Sequence, residues 1–359
     1  MFPAIRDCVA VARTRSIRVK RPLLFAVPVA ALSLLYVFFA PHDWNTQKAA
    51  DQSQEDRLSP GVSIGTEPIL PLPPAPQLSS GKVALGERLF HDPRLSHDDS
   101  IACASCHVLS KGGTDRSRFS VGIYGAVGDV NAPTVFNSSL NIAQFWDGRA
   151  GSLEDQAVGP VHNPAEMGSN WTEVIAKLRA DKEYPALFKR EYPDGISPAN
   201  ITGAIAEFER SLLTPNARFD RHLRGEKDVL SSEELEGYGR FVNHGCVSCH
   251  QGVAVGGNMF QRFGVMDDYF KGRPPAKADQ GRFNVTRLEE DRHVFKVPSL
   301  RNVAVTQPYF HDGSVRTLAD AVRTMGRYQL GKELSDEDVR LIVAFLRTLT
   351  GEWQGRVLD

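Results

Sequence analysis

The pattern Cys-x-x-Cys-His occurs twice in this chain, as Cys103, Cys106 and His107 and again as Cys246, Cys249 and His250. Two thiols one helical turn apart can each form a thioether to one vinyl group of a haem, and the adjacent His then faces the iron as its proximal ligand. The doublet therefore predicts two covalently attached c-type haems. A zinc ribbon is the first rival, but zinc sites of that kind need a second Cys or His pair roughly 12 to 20 residues on, and neither motif has one. A thioredoxin-like redox pair is the second, yet such pairs accompany a βαβ pattern that surrounds neither site.

The chain has 359 residues, room for about two domains with sizeable cores, and two haem motifs divide it the same way. A formal net charge of −1 gives no reason to expect nucleic acid as a partner. That balance hides an asymmetry. Residues 1–22 carry Arg6, Arg13, Arg15, Arg18, Lys20 and Arg21 against Asp7 alone, which leaves the remainder mildly acidic. An uncharged stretch follows from Leu23 to Ala40, near the lower limit for spanning a bilayer as a helix. The basic flank predicts a cytoplasmic N-terminus. An uncleaved anchor is the favoured reading over a cleaved signal peptide, because Phe38 and Ala40 before Pro41 make a poor small-x-small cleavage site. Either way the body is exported, as c-type haem attachment requires. Four of the five cysteines are committed to haem, so no disulfide is expected.

Residues 41–80 read as a tether, ending in Pro68, Pro71, Pro73, Pro74 and Pro76, which favour extended polyproline II. From Gly81 the text turns helical in period, with Leu85, Leu89 and Phe90 on one face. Ahead of the second motif, Ser231 and Glu234 form a capping box, followed by an apolar stripe of Leu235, Tyr238, Phe241 and Val242. About a hundred residues after each motif comes a helix of one spelling, Ile205, Phe208, Arg210, Leu212 and then Ile342, Phe345, Arg347, Leu349. This repetition predicts a duplicated module. The second copy starts at Ser335 and Asp338, which bracket its first turn. Strand signals are sparse. The expected fold is mainly α, with two cytochrome c-like haem domains in tandem over residues 81–218 and 219–359, joined near Pro215 to Leu223. A basic cytoplasmic tail (1–22), one transmembrane helix (23–40) and the tether (41–80) precede them.

A six-coordinate haem moves electrons, whereas one with an open position can bind peroxide, so the sixth ligands matter. Met325 follows His250 by 75 residues, enough chain to wrap across the haem, and Met167 follows His107 by 60. Met259, only nine residues past His250, reads as packing.

The run from Asn141 to Met167, with Gln144-Phe145-Trp146-Asp147-Gly148-Arg149-Ala150, Glu154-Asp155-Gln156-Ala157, Gly159-Pro160 and Glu166-Met167, resembles the bacterial dihaem cytochrome c peroxidases. So do Val297-Pro298-Ser299-Leu300-Arg301-Asn302 and Tyr309-Phe310-His311-Asp312-Gly313-Ser314. The likeness covers roughly residues 81–353.

This resemblance implies a peroxidatic first haem with Glu166 and Gln156 in its distal pocket, Glu166 as general acid and base and Gln156 as hydrogen-bond partner of bound peroxide. It implies that Trp146 lies between the haems, that Met325 is the sixth ligand of the high-potential second haem, and that Met167 is not a ligand. Asn131, Thr306 and Pro308 match positions that hold a calcium ion through oxygen atoms. The implied partners are hydrogen peroxide, a small cytochrome c or cupredoxin as donor, and a second copy in a homodimer; the N-terminal anchor, which lies outside the likeness, adds the membrane. The implied address is the periplasm.

One departure stands out. Many members carry a His in a Ser-x-Gly-His segment that blocks the first haem; here the run is Ser120-Val121-Gly122-Ile123-Tyr124-Gly125, with no His between His107 and His162. The first haem is therefore expected to be open in the resting ferric state. A His-free loop also marks the related enzyme that matures the quinone of methylamine dehydrogenase, but that enzyme has Tyr where this chain has Met325. Two alternatives follow, a dihaem oxidase of a protein or organic substrate and a non-enzymatic electron carrier. The ligand at position 325 discriminates the first, and peroxide or cyanide binding to the ferric protein discriminates the second.

Overall fold

The computed structural model describes residues 67–359. The expected tail and membrane anchor, and the tether as far as residue 66, lie outside the described residues. Among the described residues no helix is long and apolar enough to cross a membrane.

The described chain is mainly helical. The helices are α1 (Ser80–Phe90), α2 (Cys103–Cys106), α3 (Leu153–His162), α4 (Trp171–Ala180), α5 (Tyr184–Glu191), α6 (Pro198–Ser211), α7 (Arg218–Leu223), α8 (Ser232–His244), α9 (Phe283–Thr286), α10 (Leu318–Leu330) and α11 (Asp336–Arg347). Two antiparallel ribbons accompany them, β1 (Phe260–Arg262) with β2 (Val294–Lys296) and β3 (Glu352–Trp353) with β4 (Arg356–Val357). The starts of the long helices follow from their caps. Ser231 and Glu234 bond reciprocally in the expected box, and Ser335 accepts from the Asp338 amide.

Two helix pairs organise two cores. Helix α1 crosses α6, and α8 crosses α11, each at a glycine. A Cβ on Gly86 would stand 1.9 Å from the Ala204 carbonyl oxygen, and one on Gly237 would stand 2.0 Å from that of Leu341. Only a residue without a side chain permits such an approach. Leu85, Leu89, Phe90, Ile205, Phe208 and Leu212 are buried in the first core; Phe219, Phe241, Ile342, Phe345 and Leu349 in the second. The two helices of common spelling thus do the same packing work in each half.

The duplication extends further than that spelling. Residues 131–150 and 296–315 repeat one conformation at a constant offset. Asn137, Phe145 and Gly148 have φ of 59°, 67° and 67°, and Asn302, Phe310 and Gly313 have 62°, 71° and 56°. Gln144 bridges Ala150, and Tyr309 bridges Val315, in the same antiparallel sense. Asn137 N–H donates to the Leu212 carbonyl at 2.9 Å and Asn302 N–H to that of Leu349 at 3.2 Å, so each loop ties to its own core helix.

The halves exchange their ends. Ile69 packs into the second core and Leu358 into the first. Leu70 N–H donates to the Gly252 carbonyl, and Gly252 N–H donates to that of Pro68. The described end of the proline-rich segment is therefore seated on the protein, which corrects its reading as a tether up to residue 80. The expected joint at Pro215 to Leu223 is likewise no free linker. Ala217 and Phe219 are fully buried, and Asp220 forms a buried bidentate pair with Arg301 at 2.9 and 3.0 Å. Arg301 also donates to the Leu70 and Val253 carbonyls. One guanidinium so joins α7, the entering segment and the loop after the second haem motif.

Candidate active site

At the first motif, Cys103 and Cys106 lie at the two ends of the single turn α2, with His107 as the next residue. His107 Nδ1 stands 3.3 Å from the Gly113 carbonyl oxygen, a contact that fixes the ring with its other nitrogen free. Burial lowers the His107 pKa and favours the neutral imidazole that binds metals. At the second motif, Cys246, Cys249 and His250 line a cavity of about 420 Å³ with a mainly apolar wall. Burial pulls His250 down to about 4. None of the four motif cysteines is paired in a disulfide. The spacing and the neutral imidazoles fit a haem at each motif, and the cavity adds room for one at the second.

Met325 comes from α10 and lines the same cavity as His250, as the chain spacing suggested. Met167 is buried in the first core among aliphatic and aromatic side chains, which suits its exclusion as a ligand. Trp146, Asn131, Thr306 and Pro308, which the sequence scatters over nearly 180 residues, all line the second cavity. Trp146 Nε1 donates to the Asn131 carbonyl at 2.9 Å, and the Lys296 amide donates to the Trp146 carbonyl at 2.9 Å. Both bonds restrain the indole where the two halves meet.

Glu166 belongs to the first motif instead. The turn after α3 folds back on it, with Met167 N–H bonded to the Pro160 carbonyl and Ser169 N–H to that of Val161. Burial raises the pKa of Cys103 and Cys106, and this fold-back brings Glu166 close enough for its charge to add a smaller rise to both. Asn163 Nδ2 donates to Glu166 Oε1 at 2.6 Å. Burial pushes the Glu166 carboxyl up, against the opposing Asn163 bond and the Arg149 charge. A half-buried carboxyl whose pKa is raised by burial is suited to exchanging protons. Gln156 lies half-buried on α3 in the turn before this fold-back.

The His-free loop is built against Glu166. Ile123 N–H donates to the Glu166 carbonyl at 2.9 Å, and a Cβ on Gly122 would stand 2.1 Å from the Ala165 carbonyl oxygen. Tyr124 is 75% exposed, so it sits as a surface residue.

Residues 80–228 match the di-haem cytochrome c peroxidase family. A cytochrome c551 peroxidase of Nitrosomonas europaea is 49% identical over 296 residues, covering 82% of this chain and 87% of that one. The chain belongs to the dihaem cytochrome c peroxidase family. A cytochrome c peroxidase of Escherichia coli is 52% identical over 82% of this chain, which spans 63% of that relative's length. Among solved structures, a MauG-like protein associated with microbial copper homeostasis superposes with a TM-score of 0.69 at 30% identity, covering 79% of this chain and 93% of that one.

Reading the sequence residue by residue missed several groups that the fold brings to these sites. Asn163 holds Glu166 and was legible only as a polar residue three positions before it. Glu209 is a buried carboxyl on α6 whose charge reaches Cys103, at the place Leu346 fills in the second copy. His311 lines the cavity beside Trp146 with Nε2 on Asp279 Oδ1 at 2.8 Å. Tracing the repeat from Trp146 would have found it.

Proposed function

We propose that this protein is a periplasmic peroxidase that reduces hydrogen peroxide to water with electrons from a small cytochrome c or a cupredoxin. The observation that carries the reading is the division of labour between the two motifs. A half-buried proton-exchanging carboxyl accompanies the first, and a methionine faces the second across its cavity.

Covalently held haem, when bound at both motifs, supplies the two-electron reduction of peroxide. The chain supplies the rest. His107 and His250 would hold the irons, and Met325 would provide a sulfur ligand that raises the potential of the second site. Glu166 would accept a proton from peroxide and return it to the leaving oxygen. Asn163 keeps the carboxylate oriented for both transfers, and Gln156 hydrogen-bonds the bound peroxide. Trp146 bridges the gap between the sites, held by Asn131 and Lys296 backbone groups.

Calcium binding by Asn131, Thr306 and Pro308 is part of this proposal. Asn131 Nδ2 donates to the Ser117 and Arg118 carbonyls, which leaves its amide oxygen for a cation. Tethering by residues 23–40 and assembly as a homodimer are further parts of it. Oxidation of a protein or organic substrate is the second reading, favoured by the loop that lacks a His and opposed by Met325.

The test is peroxide consumption by the purified two-haem protein with and without reduced cytochrome c. Donor-dependent turnover is expected. Consumption no faster with donor than without it rejects the peroxidase reading.

A further inference from the structure

Two residues of the Lys and Arg type are buried among the described residues, and the fold treats them differently. Arg301 is matched by the buried carboxylate of Asp220 and by two backbone carbonyls. Lys296 is 8% exposed, at the inner end of β2, and no carboxylate among the described residues lies within ion-pair distance of it. Its Nζ has no hydrogen-bond acceptor there either. Burial alone acts on its pKa, pulling it down to about 8, with no neighbouring acid to oppose that.

An ammonium held in a mainly apolar cavity is unfavourable unless an anion accompanies it. Lys296 lines the cavity that holds Cys246, Cys249 and His250. The remaining wall is mostly apolar, so the missing anion must come with whatever fills the space. A c-type haem carries two propionate carboxylates and attaches at those same cysteines. In the other half of the repeat the equivalent residue is Asn131, which is neutral and spends its side-chain N–H on the Ser117 and Arg118 carbonyls. The charge is therefore particular to the second repeat.

We propose that Lys296 is the counter-ion of a propionate of the haem attached at Cys246 and Cys249. The proposal rests on the two-haem reading and deepens it, because a cation at this position favours the reduced form of the electron-accepting haem. Lys296 acts as a positioning residue. It makes the second site easier to reduce than methionine ligation alone would.

The experiment compares the full two-haem protein with Lys296→Met and Lys296→Arg, and with Lys271→Met as an exposed control. Spectroelectrochemical titration gives the midpoint potential of the second haem, and resonance Raman gives its propionate bending band. In Lys296→Met the oxidised-to-reduced ratio at fixed potential should rise about tenfold, a fall of about 59 mV for one electron. Lys296→Arg should return the oxidised-to-reduced ratio to within about twofold of the unmutated protein's while moving the propionate band, since a guanidinium donates in a different geometry.

A potential in Lys296→Met equal to that of Lys271→Met, with both haems bound, overturns the proposal. If Lys296→Met takes up no second haem, an unmoved propionate band in Lys296→Arg overturns it equally. Haem content separates the two levels of the claim. Fewer than two haems in the unmutated protein defeats the underlying reading, whereas two haems with an indifferent potential defeats Lys296 alone.

Discussion

Trp146 and His311 occupy equivalent places in the two repeats and meet each other, with ring centroids 6.4 Å apart and planes inclined at 72°. Their backbones are bound crosswise. The Asn131 amide donates to the His311 carbonyl at 2.7 Å, and the Lys296 amide, its repeat mate, donates to the Trp146 carbonyl at 2.9 Å. A local two-fold relation therefore passes between the two rings. The duplicated loops place one aromatic from each half where the two repeats meet.

Replacing Trp146 by Phe removes the bond to the Asn131 carbonyl and shrinks the ring, while leaving both motifs untouched. Donor-dependent turnover should fall about tenfold, equivalent to about 1.4 kcal/mol of barrier, with haem content unchanged. Single-turnover kinetics with the second haem pre-reduced is the measurement, since it isolates transfer between the sites.

Glu166→Gln removes the proton carrier and should lower peroxide turnover by roughly 10²- to 10⁴-fold. Asn163→Ala should act through pH. The Asn163 bond stabilises the charged carboxylate, so its loss raises an already raised pKa. Glu166 must be ionised to accept a proton, and activity is lost as pH falls through its pKa. The acidic limb of the pH–rate profile should therefore move to higher pH in Asn163→Ala, with the rate at high pH much less affected.

The Ser120 to Gly125 loop offers no imidazole, and its one tyrosine faces solvent. The resting ferric protein should show a high-spin component from the first haem and bind cyanide without prior reduction. Electron paramagnetic resonance settles this, and a resting spectrum with both haems low-spin would remove the idea.

Burial, with the Glu154 charge adding to it, pushes Glu209 from 4.5 up to about 8. Between those two values the folded chain holds a proton that the unfolded chain has released, so this carboxyl lowers stability as pH rises across that window. Glu209→Gln should be close to neutral near pH 5 and stabilising by roughly 2 to 4 kcal/mol above pH 8. Urea unfolding at both pH values tests it.

Arg301→Met strands Asp220 in the interior and should destabilise the protein by roughly 3 to 5 kcal/mol. Adding Asp220→Leu should recover much of that loss, because no unpaired charge then remains buried. Denaturant midpoints of the single and double variants measure the difference.

Local chemistry in the chain determined the haem motifs, the helix starts at Ser231 and Ser335 and the buried faces of α1, α6, α8 and α11. Each depends on residues within a few turns of one another, where spacing and side-chain type suffice. Met325 was also legible, because a single methionine stood at a suitable distance from His250. The resemblance supplied Glu166, Gln156 and Trp146, which composition and spacing alone do not mark as functional.

Tertiary structure decided the rest. That Glu166 faces the first motif while Trp146 borders the second depends on how the turn after α3 folds back and how the repeats meet. The exchange of Ile69 and Leu358 between cores and the Asp220–Arg301 pair join residues far apart in the chain, and packing alone leaves Lys296 without a carboxylate partner among the described residues. Whether such a group is paired, exposed or stranded depends on burial, and burial is a property of the packed chain rather than of any segment of it.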